Sequence, residues 1–534
     1  MSKVERSWFP MIVISLSNVM LYITTFGVNV LISPIVNDLQ STVSTLQAVI
    51  VSASLIGGAL MVTAGRLGDK YGEKKIFSIG VAIYVLGMII VILSPNTLIF
   101  IVGWAIIWPL GMVMVVPTSI ALIMNYYHGS QRVLAFGVYG AVLSAVSALA
   151  PVIVGLIADN VNWRVSLSLS PIFGIITLLM AYSLPETEGD KTISIDVRSV
   201  ILSTLGFGFF LVSTTLAGQY GWLWEKRPLV IAGNTITFGE LSVVPIIYGV
   251  SLIAIFLFIV RCVRLKKQGK VPLLDLTLFK NISFSLGLFI GGFFFLVNAG
   301  FLFVVSVYLQ AGVQMDSLST ALTTLPFTAI LAILSFLTPP LGKKIAPKWI
   351  LIFGAICMLL GIWLSGQLAR MDMTPLVLLV PMIITGIGGG LIMAQYTGVT
   401  MMNVKPENSG AASGLTETMK EILGQGFAVA FAGSILFGSV YTSMADSYAN
   451  IEGKTLSDRT RQEEVVKLED IFNSISVPEE EKYVSELPEK IRLAYSDIVS
   501  RAANTGLKNA LFSINIFLFL SLVLMFFLPN RILR

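Results

Sequence analysis

Two cysteines, Cys262 and Cys357, and one histidine, His128, are all that 534 residues hold of the side chains that most readily bind transition metals. That is too few for a disulfide framework or a zinc cluster. It also leaves Ser/His catalysis almost nothing to work with. No G-x-x-x-x-G-K-[ST] stretch is present, so a phosphate-cradling loop for ATP is excluded. Charge is equally scarce. Only 12% of residues are Asp, Glu, Lys or Arg, about half the share of roughly 25% that a water-soluble domain carries. The net charge of +5 does not point to nucleic acid, because the basic residues sit in short loops. Nothing in the composition calls for a cofactor, and an enzyme is not expected.

What the chain has in abundance is apolar length. Hydrophobic residues make up 55% of it, in runs of roughly 20 residues, the length that crosses a bilayer as a helix. Only helices and closed barrels satisfy every backbone group in lipid. Barrel strands alternate polar and apolar residues, whereas these runs are apolar all round, so the spacing predicts helices. About fourteen spans are expected, at roughly 8–35, 45–64, 76–94, 98–125, 134–158, 166–184, 199–218, 241–261, 283–310, 317–339, 349–367, 375–397, 410–438 and 508–529. The first run is too long for a signal-peptide core and is followed by no small-residue cleavage site, so it reads as a retained span.

An even count puts both termini on one side. The loops after spans 2, 8 and 10 carry Arg66, Lys70, Lys74 and Lys75, then Arg261, Arg264, Lys266, Lys267 and Lys270, then Lys343, Lys344 and Lys348. The short loops after spans 1, 3 and 9 carry no Lys or Arg. The positive-inside rule therefore places both termini in the cytoplasm of a multi-pass protein of the cytoplasmic membrane. Two larger segments fall outside. Leu229–Phe238 reads as a β-hairpin turning at Gly233-Asn234. Residues 442–507 are strongly charged, with Val465, Leu468, Phe472 and Ile475, and then Ile491, Ala494, Tyr495 and Ile498, at helical spacing. These predict amphipathic helices capping the outer surface.

The loop after span 2 reads Gly65-Arg66-Leu67-Gly68-Asp69-Lys70-Tyr71-Gly72-Glu73-Lys74-Lys75. Its glycines permit a tight reversal, and Asp69, read as the start of span 3, complements the free N–H groups of a helix N-terminus. With Gly65, Leu67, Asp69, Gly72 and Lys74 in place, it resembles the G-x-L-x-D-x-x-G-x-K/R signature loop of the major facilitator superfamily, whose members work by alternating access. Asn162-Trp163-Arg164 with Pro171, Pro272-Leu273-Leu274-Asp275-Leu276, Tyr308-Leu309-Gln310 with Pro326, and Gly410-Ala411-Ala412-Ser413-Gly414-Leu415 are similar to landmarks of that family's fourteen-span drug:proton antiporter branch.

The resemblance implies an all-α polytopic fold of two six-helix lobes with two inserted helices. The expected parts are 1–184 as the first lobe and 185–282 as a linker with the inserted spans and hairpin. The second lobe is 283–534, including the external insertion 442–507. It implies secondary active efflux of lipophilic or amphipathic compounds, some cationic, with protons as the coupling ion. The partners would be the bilayer and a small lipophilic substrate, and the protein a monomer. Gly65, Leu67, Asp69, Lys70, Gly72 and Lys74 would form the gating loop.

The chain departs from that pattern in three places. The acid common in span 1 of the branch falls at Thr24 or Thr25, and the usual arginine of span 4 at Ala105, with Trp108 where a glutamine follows. The span 5 antiporter motif keeps Pro151 and Gly155 but has Ala150 and Val154 in place of glycines. Span 13 carries the compensating charges, Glu417, Lys420 and Glu421 at i, i+3 and i+4, so that Lys420 can pair with either carboxylate. Charges inside a membrane helix are costly and mark function, and Glu417 is the preferred titrating group. Asn18, Tyr22, Thr24, Asn29, Trp104, Trp108, Tyr139, Asn298 and Gln395 are candidate cavity residues, the tryptophans for stacking on a flat or cationic substrate. The departures leave two alternatives open: an exporter or flippase for lipid or hydrophobic metabolite without conventional proton coupling, and a non-transporting membrane receptor of the same fold.

Overall fold

The computed structural model describes residues 7–28, 31–41, 43–190, 192–193, 195–227, 229–231, 234–236, 238–315, 317–405, 408–474 and 483–530. Its long helices, in chain order, are α1 Phe9–Gly27, α2 Val43–Tyr71, α3 Glu73–Ile92, α4 Thr97–Tyr126, α5 Gly129–Asn160, α6 Trp163–Ala181 and α7 Val197–Tyr220. There follow α8 Val243–Lys267, α9 Ile282–Gln310, α10 Ser317–Leu337, α11 Pro347–Leu368, α12 Pro375–Thr400, α13 Ser409–Ile451 and α14 Glu489–Phe526. Thirteen helices among the described residues are long and apolar enough to cross a membrane. The 29-residue α2 lies packed among them against α4 and α13. The expected all-α membrane fold is therefore present.

Helix starts follow local chemistry. Asn162 accepts the Val165 N–H ahead of α6, Ser242 the Val244 N–H ahead of α8, and Asn281 the Ser283 N–H ahead of α9; each satisfies an amide the first turn leaves free. Pro347 begins α11, where a missing N–H costs nothing. Asp196 caps α7 through Ser199 and is held on α8 by Arg261 Nη2 at 2.8 Å. The guanidinium beside it keeps its carboxyl below the usual carboxylate range.

Several spans differ in extent from the sequence reading. Span 1 ends at Gly27, and a short separate helix, Ile32–Asp38, follows. Pro34 has no N–H to continue the ladder, so one helix of 28 residues is not formed. At the other end of the chain, α13 and α14 run far past their expected limits. Forty-three and 38 residues at 1.5 Å each make rods of about 65 and 57 Å, roughly twice the hydrocarbon thickness. The expected amphipathic segment around Ile491–Ile498 is thus part of the N-terminal half of α14 itself. The hairpin also differs from that reading. Ile231 pairs with Asn234, so Asn234 belongs to the second strand and not to the turn, while Gly233 lies outside the described residues.

Two apolar cores organise the bundle. One joins α1 to α6 and takes in Leu211 and Phe258 of the inserted pair α7–α8, Phe284 and Leu288 of α9, and Ala412 and Leu415 of α13. The other joins α9 to α14. They meet where α2 lies along α13 and where α5 lies along α10 and α12. A third, smaller core sits above, built from Tyr441 and Met444 of α13, Leu468 of the helix Asp458–Ser474, and Ile491 and Ile498 of α14. The loop after α7 reaches this cap through ion pairs of Lys226 with Glu469 and of Arg227 with Asp470 at 2.5 Å. At the same end, Arg164 Nη2 donates to Ser94 O at 2.8 Å and Nε to Ile92 O at 3.0 Å, while its Nη1 pairs with Asp38. One guanidinium so ties the end of α3 and the Ile32–Asp38 helix to the start of α6.

Candidate functional site

The signature loop is built from the last turn of α2 and the first of α3. Gly72 stands between them at φ +92°, and a Cβ there would meet Thr187 O at 2.3 Å. Only glycine suits both the left-handed conformation and the contact. Asp69 lies in the last turn of α2, and the helix end it serves is not that of α3. Its Oδ1 accepts the Gly410 N–H at 2.7 Å and its Oδ2 the Ala411 N–H at 3.1 Å. These are the amides an N-cap side chain would satisfy at the start of α13, where the residue in the cap position, Asn408, makes no side-chain cap bond. A carboxylate near the end of α2 therefore caps α13, more than 300 residues further along the chain. Favourable charge at the positive end of α13 adds to the two hydrogen bonds.

The two helices must touch for this to work, and glycine lets them. A Cβ at Gly65 would lie 2.0 Å from Gly410 O, and one at Gly410 would lie 2.2 Å from Gly65 O. Arg66, 1% exposed, locks the arrangement: Nη1 donates to Asp69 Oδ2 at 2.9 Å and Nη2 to Pro272 O at 3.1 Å. Lys74 pairs with Glu186 at 2.6 Å and its N–H donates to Thr187 Oγ1 at 2.9 Å, holding the strap after α6 beneath the loop. Leu67 and Lys70 are half-buried beside it. A second contact closes the same end of the bundle. Pro339, after α10, fills the space at Gly137 of α5, where a Cβ would be 2.0 Å from Pro339 Cγ.

Beyond this closed end lies a cavity of about 150 Å³ between the two cores. Its walls include Tyr22, Thr25 and Phe26 of α1, Trp108 and Met112 of α4, and Ser144 and Ser147 of α5. Phe294, Phe295 and Asn298 of α9, Phe327 and Thr328 of α10, Met393 of α12 and Glu417, Lys420 and Glu421 of α13 face them. Glu417 is seven residues from Gly410, so the charges lie about 10 Å in from the latch at 1.5 Å per residue. Glu417 has no exposure and is the ion-pair partner of Lys420, whose Nζ rests over the Phe295 ring at 5.1 Å. Tyr22, Tyr139 and Tyr396 surround the pair. Glu421 makes no ion pair among the described residues. It opens a seven-residue π-helical stretch, Glu421–Phe427, a widening of the helix found mostly where a site needs it.

Of the candidate cavity residues, Tyr22, Trp108 and Asn298 line this space. The other described candidates do not line it. Thr24 bonds Tyr84 OH at 2.7 Å on α3, and Gln395 Nε2 donates to Thr338 O at 3.2 Å near the closed end. Trp104 is the middle ring of a stack, 5.7 Å from Phe100 and 5.3 Å from Trp108, in a π-helical segment that also buries Ala105. Tyr139 stands beside Tyr22, and Asn18 is buried within α1. Asn29 lies outside the described residues. Pro151 and Gly155 are half-buried in α5, and between them Val154 packs on Gly27, where a Cβ would be 2.7 Å from Val154 Cγ2. The sequence reading missed Phe294 and Phe295. The available signal was their position three and four residues before Asn298, which puts them on its helix face.

The latch gives a direct prediction. In Asp69→Asn the size is kept, but the charge on the α13 N-terminus is lost and one amide hydrogen of the new side chain faces Arg66 or a backbone N–H. Charge-assisted bonds contribute about 1.5–3 kcal/mol, so the closed end should open in roughly ten times more molecules. Pulsed spin-label distances between positions Lys75 and Lys405, both exposed near that end, should lengthen; an unchanged distribution would remove the latch.

The sequence profile described as Major Facilitator Superfamily matches residues 14–429. The multidrug efflux pump LfrA of Mycolicibacterium smegmatis is 24% identical, over 85% of this chain and 85% of that protein. The quinolone resistance protein NorB of Staphylococcus aureus is 26% identical, over 78% of this chain and 85% of its own. A probable actinorhodin transporter of Streptomyces coelicolor is 24% identical, over 81% and 73%. Among solved structures, the proton:xylose symporter XylE superimposes with a TM-score of 0.58 at 12% identity, over 98% of this chain and 97% of that one. The human organic anion transporter MFSD10 gives 0.57 at 11%, over 98% and 100%.

Proposed function

The chain belongs to the major facilitator superfamily, and from that premise we propose that it expels lipophilic, cationic compounds across the cytoplasmic membrane in exchange for protons. It is a transporter and not an enzyme. The observation that carries the finer reading is Glu421, a carboxylate with no ion-pair partner among the described residues, on the wall of an aromatic cavity between two helical halves. An unbalanced charge in a membrane interior is balanced by whatever positive species arrives, here a proton or a cationic substrate in turn. That mutual exclusion is antiport. The relatives named above as efflux pumps agree with it.

In this reading the basic loops and both termini face the cytoplasm. The Asp69 latch is then the inner gate, closed in the state described. Lobes 1–184 and 283–534 rock about the cavity, with α7 and α8 between them, and a single chain suffices. When the latch opens, substrate enters from the cytoplasm or inner leaflet; when it closes, substrate leaves outward as a proton takes its place.

The test is transport by purified protein in liposomes loaded with a pH-sensitive dye. Adding ethidium should evoke proton flow in the opposite direction. A folded protein that binds ligand but moves no protons would favour the second reading, a lipid or hydrophobic-metabolite exporter. The observation behind that reading is the cavity wall of α1, α4 and α5, which holds no carboxylate or cation. Movement of labelled lipid without a pH gradient would establish it.

A further inference from the structure

The charges facing the central cavity all come from one helix, and they do not cancel. Glu417, Lys420 and Glu421 are the Asp, Glu, Lys or Arg residues among those that line it. Lys420 is held by Glu417 and shielded on one side by the Phe295 ring. The charge of Glu417 is therefore answered inside the protein, and Glu421 alone is left for a ligand. The same cavity wall carries Tyr22, Trp108 and Phe295, whose ring faces favour a cation spread over an aromatic or alkylated framework.

From this charge count we infer that the site selects its cations by valence, accepting one positive charge per molecule and rejecting two, and that Lys420 sets the limit by masking Glu417. The inference rests on the efflux reading above. A second positive charge entering this cavity would find no partner and would lie near the Lys420 ammonium, and an unpaired charge in a low-dielectric interior is strongly disfavoured. With Lys420 neutralised, Glu417 and Glu421 would present two carboxylates one helical turn apart, about 6 Å, a spacing suited to two cationic centres of one small molecule. In that role Lys420 is a specificity-determining residue that acts through Glu417.

Ethidium and propidium supply the probe pair, because they share the phenanthridinium ring and differ by a second, quaternary ammonium on a propyl arm. Equilibrium binding to the full chain in nanodiscs, read by fluorescence anisotropy, should favour ethidium at least tenfold in the wild type. Lys420→Gln should shrink that preference at least tenfold, and Lys420→Arg should keep it. The double change Lys420→Gln with Glu421→Gln, which again leaves one acid, should restore it. Equal affinities in the wild type would overturn the proposal without any variant, as would a folded Lys420→Gln protein with an unchanged ratio. A wild type that binds neither dye would instead overturn the efflux reading on which the proposal stands.

Discussion

With glutamine in place of Glu421, reconstituted protein is expected to lose substrate-evoked proton movement, at least tenfold in rate, while still letting substrate exchange down its own gradient. The side chain lines the cavity, and the amide keeps its shape but can neither release a proton nor answer a cation. Coupling needs a group whose charge differs between the two half-cycles, and removing it leaves a pathway without a drive. Glu417→Gln should behave differently. Its carboxylate is the counter-ion of Lys420, and removing one partner of a buried pair costs about 3–5 kcal/mol because the other charge is stranded. That variant should show as a loss of folded protein before any loss of coupling. The sequence alone favours Glu417 as the titrating group; in the folded chain the geometry supports giving that role to its neighbour one turn on. Dye-loaded liposomes and thermal unfolding of both variants in detergent check the contrast. Proton movement that survives Glu421→Gln would take the role from Glu421 and return it to Glu417.

Gly410→Val is expected to abolish transport by driving apart the helices that the latch joins. Even the first added carbon would stand 2.2 Å from Gly65 O and 2.4 Å from Asp69 Oδ1. One of those neighbours is backbone and the other is the capping carboxylate, so neither yields without breaking the cap. Overpacking alone costs about 1–3 kcal/mol, and loss of the two amide bonds to Asp69 adds to it. The closed arrangement of that end should become a minor state and turnover should fall at least a hundredfold, with the protein still folded. Gly438→Val is the matched control, since nothing lies within 4 Å of a Cβ at that position on the same long helix. It should transport normally. Near-wild-type turnover in Gly410→Val would show that the α2–α13 contact is not part of the cycle.

How much of this was readable beforehand depended on the range of the interaction involved. Apolar runs showed the helices because insertion in lipid is decided segment by segment. Helix ends were less legible. Whether α14 starts at the membrane surface or 19 residues earlier turns on the third core, where Ile491 and Ile498 meet Tyr441 and Leu468. Those partners lie up to about 57 residues away in sequence, and no window of local hydropathy contains them. The candidate cavity residues divide in the same way. Polarity within an apolar span singled out Tyr22 and Asn298 as cavity candidates and Glu417, Lys420 and Glu421 as coupling candidates, and all five line the cavity. It also picked Thr24 and Gln395, whose polar atoms serve neighbouring helices, because a polar side chain in a helix reads the same whether it faces a cavity or another backbone.

What the sequence by itself determined is the class of molecule: a helical membrane transporter of the major facilitator type, with a loop carrying Asp69 and one charged turn in span 13. Composition and short motifs are local properties, and the bilayer acts on each segment nearly alone. What only the tertiary structure decided is who meets whom. Asp69 caps α13 and not α3, Lys420 answers Glu417 and leaves Glu421 without an ion pair among the described residues, and four phenylalanines join the polar residues in the cavity wall. The first and the last of these depend on helices far apart in the chain being brought within van der Waals contact, across Gly65 and Gly410 above all. Side-chain direction on a helix is periodic and so predictable, but the neighbour it points toward is set by packing, which no single segment encodes.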